Sequence, residues 1–61
     1  MIELTRLNGT KFVLNAELIE SVESTPDTVV TLTTDKKLVV LEKKDEIINK
    51  VIQYKKRIFL Q

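Results

Sequence analysis

Ile2-Glu3-Leu4-Thr5-Arg6-Leu7-Asn8-Gly9-Thr10-Lys11-Phe12-Val13-Leu14 decides the fold class of this chain. Two short strand-prone runs flank Asn8-Gly9, a dipeptide that tolerates positive φ at both central positions of a two-residue type I′ turn. A β-hairpin is expected at the N-terminus, with Asn8 and Gly9 fixing its register. Outward from it the same grammar continues. Asn15-Ala16-Glu17 reads as a connector and residues 18–24 as a third strand. Pro26 and Asp27 supply a turn through the fixed proline φ and the aspartate's bond to its own backbone. Residues 28–33 are rich in β-branched side chains and alternate, with Val30 and Leu32 on one face and Val29 and Thr31 on the other. Thr34-Asp35-Lys36 closes a further turn, and the apolar run within residues 37–41 predicts a fifth strand covered on both sides.

The period changes at Glu42-Lys43-Lys44-Asp45. Ile47, Ile48, Val51, Ile52, Tyr54, Ile58 and Phe59 then recur at helical spacing, with Lys50, Gln53, Lys56 and Arg57 opposite them. Asp45 and Glu46 near the start and Lys55, Lys56 and Arg57 near the end suit the helix dipole. A helix over about 44–60 would run about 25 Å, against roughly 17–20 Å for a typical strand. Its end should overhang the sheet and leave Ile58, Phe59 and Leu60 in water, so these residues, with Tyr54, are the candidate interface.

The architecture expected is α+β, a single domain over residues 1–61. An antiparallel five-stranded twisted meander within 1–41, curling toward a half-barrel, precedes one C-terminal amphipathic helix. Hairpin-length connections favour antiparallel neighbours, because parallel pairs need long crossovers.

Composition narrows the function classes. The 61 residues include no cysteine and no histidine, which excludes disulfides, thiolate nucleophiles, the commonest general base and the usual zinc sites. A chain this short buries only about 60% of its unfolded surface, so self-association is the expected source of added stability. Net charge is +1, which gives no general attraction to nucleic acid or membrane. No apolar stretch approaches the roughly 20 residues of a membrane span, and the N-terminus lacks signal-peptide organisation. A cytoplasmic protein is expected.

Candidate chemistry is sparse. Glu17, Glu20 and Glu23 surround a short strand, and Asp27 and Asp35 sit at turns, so solvated or conformational roles account for them. Glu42, Asp45 and Glu46 could face a hard cation, yet helix-start electrostatics explains two of the three without a metal. Gly9 is the sole glycine, which rules out a phosphate-cradling loop. No catalytic, metal or cofactor residues are expected, and no small-molecule substrate. Lys50, Lys55, Lys56 and Arg57 form the basic candidates, and Arg6 is a further polar candidate, expected at the sheet rim with the option of a carboxylate partner.

The runs Met1-Ile2, Leu4-Thr5-Arg6-Leu7-Asn8-Gly9, Phe12, Leu14-Asn15-Ala16, Leu18-Ile19-Glu20, Thr25-Pro26-Asp27-Thr28 and Thr31-Leu32 together resemble the flagellar FlbD family, also called the swarming-motility SwrD family. The resemblance covers nearly the whole chain. It implies a non-enzymatic flagellar accessory protein that supports motility or swarming. Such a protein would assist motor torque through contacts with a motor or stator-associated partner at the motor's cytoplasmic face, close to but not in the membrane. The chain departs from that pattern at Asp35-Lys36, where Asn-Gly is frequent, and in the apolar Ile58-Phe59-Leu60. An alternative of another class is a dimeric RNA-binding translational regulator of the carbon-storage-regulator kind, similar at Leu4-Thr5-Arg6. Those proteins carry a basic residue at the end of the last strand, where this chain has Leu41-Glu42.

Overall fold

The computed structural model describes residues 1–59, with the side chains of residues 1–58. Five antiparallel strands and one helix follow in order: β1 (Ile2–Thr5), β2 (Lys11–Leu14), β3 (Ile19–Ser24), β4 (Thr28–Leu32), β5 (Lys37–Val40) and α1 (Lys44–Phe59). The α+β class agrees with the sequence reading, and α1 begins at Lys44, where the change of period places it; the expected end at residue 60 lies outside the described residues. The sheet, however, is divided in two: β1 pairs with β2, and β3-β4-β5 form the second sheet. The expected step from β2 to β3 is missing because the Asn15 side chain caps a 3-10 turn, Ala16–Leu18, by accepting the Glu17 N–H at 3.0 Å. This turn replaces the start of the predicted third strand. The two sheets meet instead through β1 and β5. Arg6 forms an isolated antiparallel bridge to Val40, and the Leu41 N–H donates to the Thr5 carbonyl at 2.9 Å. No barrel closes, since β2 and β3 both keep a free edge.

The first hairpin forms as expected, but its turn is not type I′. Of the pair Asn8-Gly9, only Gly9 has positive φ, +91°. The Gly9 N–H donates to the Arg6 carbonyl at 2.9 Å, and the Arg6 N–H to the Thr10 carbonyl at 2.8 Å. That is a three-residue loop, a turn over Leu7-Asn8 followed by a left-handed Gly9. Asn8 takes a different part, accepting from the Thr10 N–H at 3.0 Å and the Thr10 hydroxyl at 2.7 Å. The loop before β5 repeats the plan. The Asp35 N–H donates to Leu32 and the Leu32 N–H to Lys36, with Asp35 at φ +68° in the glycine's place. The bend at residues 25–27 includes a cis Thr25–Pro26 peptide.

The core forms where the inward faces converge. Ile2, Leu4 and Leu14 from the hairpin, Val30, Leu32 and Val40 from the second sheet, Ala16 and helix residue Ile47 are buried together. In β4 the alternation places Thr28, Val30 and Leu32 inside, as expected. β5 differs from expectation: Leu38 and Val40 face the core, but Val39 and Leu41 are exposed. An apolar run signals burial on both sides only where a second layer exists, and α1 lies across β1 and β3. Lys43 precedes α1 in the capping position: its carbonyl accepts the Ile47 N–H at 3.1 Å and its N–H donates to the Glu46 carboxylate at 3.2 Å. This is half of a capping box, with lysine in the place of serine or threonine.

Candidate protein-contact surface

Helix α1 rests on the sheets along one line of side chains. At 100° per residue, Ile47, Val51, Tyr54 and Ile58 fall within a narrow stripe. Exposure rises along it: Ile47 is 1% exposed, Val51 and Tyr54 are half-buried, and Ile58 is 47% exposed. The supporting surface therefore runs out before the helix does, as expected from the helix length. Tyr54, one of the candidate interface residues, is half-buried and packs against the core. The expected contact roles of the Phe59 side chain and of Leu60 lie outside the described residues.

Ile48 and Ile52 stand to one side of that stripe, 45% and 44% exposed. Periodicity groups them with the core-facing residues, because helical spacing alone does not tell which line within an apolar half carries the load. Across from them is β3, the edge strand of its sheet, presenting Ile19 and Val22. Together they bound an open groove of about 340 Å³, floored by Ile47 and Val51, with Glu20 on the strand wall and Lys44 on the helix wall. Burying large apolar side chains of this kind is worth roughly 1.5–3 kcal/mol each.

The basic candidates do not gather. Lys50 and Arg57 flank the helix on the β1 side, beside Met1 and Glu3. Helical spacing turns Lys55 toward the β3 side and Lys56 away from the sheets. Lys50 is half-buried, and the other three are exposed. Arg6 is at the rim, as expected, but its partner is an aromatic ring rather than a carboxylate. The guanidinium carbon lies 4.3 Å from the Phe12 centroid, within cation–π range. A second cleft of about 370 Å³ opens there, between Arg6, Leu7 and Phe12 on one side and Lys37, Leu38 and Val39 on the other. Asn8, Gly9, Pro26 and Asp27 lie at chain reversals.

One polar contact had no sequence signal. The Glu42 carboxylate accepts the Thr5 N–H through Oε1 and the Thr5 hydroxyl through Oε2, both at 2.8 Å, joining residues 37 apart. Burial alone would raise the Glu42 pKa. The Thr5 backbone and hydroxyl bonds, a bond to its own N–H and the nearby Lys50 charge outweigh burial and hold it below the ordinary glutamate value of 4.5. Glu42 thus clasps the two sheets together beside their bridge. Among the described residues, no three acidic side chains converge on a possible metal position, and no helix is long and apolar enough to cross a membrane.

Comparison with known proteins adds one finding. Residues 1–59 match the model of the FlbD family, described as flagellar and swarming motility proteins. No curated protein and no solved structure matches the chain at a significant level.

Proposed function

Because the chain belongs to the FlbD family of flagellar and swarming motility proteins, we propose that it is a non-enzymatic accessory of the flagellar motor, assisting torque generation through protein–protein contacts at the motor's cytoplasmic face. The observation that carries the contact mode is the unpartnered apolar flank of α1, where Ile48 and Ile52 are 45% and 44% exposed above the β3 groove. Water disfavours such a flank, and a partner relieves it. Self-association belongs to the same reading, since the eight buried apolar residues among the described ones make a small core for a chain without cysteine. The basic side chains point in several directions around the helix, which favours a protein partner over a nucleic-acid track. The supporting experiment is deletion of the gene in its host with torque measured on tethered cells. The proposal expects assembled filaments that turn with reduced torque. Unchanged torque, or loss of the filaments themselves, would overturn it.

A further inference from the structure

The cleft between the first hairpin and β5 carries charge of one sign. Its charged lining residues are Arg6 and Lys37, both exposed, whereas the clefts beside α1 set Glu20 with Lys44 and Glu3 with Lys50 and Arg57. The segments that build its walls have the same bias. Residues 6–12 and 36–41 contain Arg6, Lys11, Lys36 and Lys37 and no acidic residue. The ion pair found among the described residues joins Lys11 to Glu3, so among those residues neither Arg6 nor Lys37 has a carboxylate partner. We propose that this cleft is a docking site for an acidic segment of a partner protein, one in which carboxylates alternate with apolar side chains. None of the lining residues belongs to α1, so the site goes beyond the helix flank and does not depend on it.

Three observations select that occupant. First, Arg6 is already held in place. Its guanidinium carbon lies over the Phe12 ring, 4.3 Å from the centroid, and such a contact restrains the side chain without occupying its N–H donors. A carboxylate is the planar acceptor that matches this fork. Second, the walls between the cations are apolar. Leu7 and Val39 are 59% and 36% exposed, and Leu38 is half-buried beside them. A bare inorganic anion would leave these side chains in water, whereas the apolar residues of an acidic segment cover them. Third, a nucleic acid finds little to hold. The ring on which a base would stack is half-buried and lies under Arg6. Two lining cations make a short track for phosphates, and the chain's net charge of +1 adds little attraction from a distance.

The test is a titration of the isotope-labelled full chain, followed by amide NMR shifts, with a short peptide of alternating glutamate and valine. The same peptide with glutamine for glutamate and an oligouridylate strand are the other arms. The acidic peptide should bind with Kd below about 1 mM at low salt, shift the amides of Arg6, Leu7, Asn8, Lys37, Leu38 and Val39, and bind more weakly as salt rises. Arg6→Gln should weaken binding about fivefold by removing the fork, and Lys37→Gln about twofold by removing a point charge. Val39→Asp should weaken it about tenfold by setting a carboxylate against those of the peptide. Lys56→Gln, on α1, should leave it unchanged. Any one of four results would overturn the proposal: no binding at about 1 mM peptide, shifts confined to α1 and β3, equal binding of the glutamine peptide, or tighter binding of the oligouridylate. Affinity unaltered in both Arg6→Gln and Lys37→Gln would overturn it as well. Should Arg6→Gln unfold the chain, the exposed Lys37→Gln and Val39→Asp variants still decide. The titration leaves the torque reading untouched, and normal torque in the deletion strain leaves the cleft untouched.

Discussion

Removing the Glu42 carboxylate should loosen the junction between the two sheets. In the native chain it accepts two hydrogen bonds from Thr5, each 2.8 Å long. These stand beside the 2.9 Å backbone bond from Leu41 to Thr5 and the bridge from Arg6 to Val40. Hydrogen bonds to a charged group contribute about 1.5–3 kcal/mol each. Both partners here are half-buried, so water can reclaim part of the loss. Glu42→Ala should therefore cost about 2 kcal/mol in all. A chain of this size has about 3–9 kcal/mol of total stability, and a loss of 2 kcal/mol corresponds to a fall in Tm of about 8–16 °C. Thermal unfolding followed by circular dichroism measures this directly. Glu42→Gln should lose about half as much, because an amide keeps one acceptor.

The pH dependence follows from the sign of the shift. Glu42 has its pKa lowered below 4.5 on folding. Its contribution is fully present above the unfolded value and disappears as pH falls through the lower folded value. Glu42→Gln should flatten the part of the acid-unfolding curve below pH 4.5. A Tm for Glu42→Ala within about 2 °C of wild type, or an acid limb unchanged in Glu42→Gln, would refute the clasp.

Gly9→Val should lower stability by about 1–3 kcal/mol. At φ +91°, with nothing within 4 Å of the place a Cβ would take, the cost is conformational rather than steric, so Gly9→Ala should also destabilise, by about 1–2 kcal/mol. Lys43→Ser completes the capping box with Glu46 and should raise stability by about 0.5–1 kcal/mol, seen as a higher urea midpoint with the slope unchanged. Ile47→Ala should cost about 2–5 kcal/mol, while Ile48→Ala, on the exposed flank, should cost under about 1 kcal/mol by the same denaturant assay.

What could be read from the chain was whatever its neighbours in sequence determine. The helix was legible because the apolar period, the acidic first turn and the basic last turn lie within a few residues of one another. The first hairpin was legible for the same reason, but its turn type was not. Asn8-Gly9 can be the whole of a two-residue loop or the last two residues of a three-residue one. The choice depends on whether Thr5 aligns with Lys11, which the sheet as a whole sets. Leu18 looks like a strand residue until Asn15 is seen capping the turn ahead of β3. Val39 looks buried until the position of α1 is known. The candidate contact surface was legible in its chemistry, an amphipathic helix with surplus apolar residues, but not in its placement. Ile47 and Ile48 are adjacent in sequence, and packing on β1 and β3 alone distinguishes the buried line from the exposed flank. The Thr5–Glu42 clasp spans 37 residues and leaves no local pattern at all.

The central claim is that the exposed flank of α1 carries the protein's part in motility. Torque of tethered cells carrying Ile48→Ser with Ile52→Ser in place of the native gene tests it most directly, with Lys56→Ser as the control on the helix face turned away from the sheets. The account predicts torque reduced to the level of the deletion strain for the double variant, at normal cellular abundance, and full torque for the control. Full torque from the double variant would contradict it.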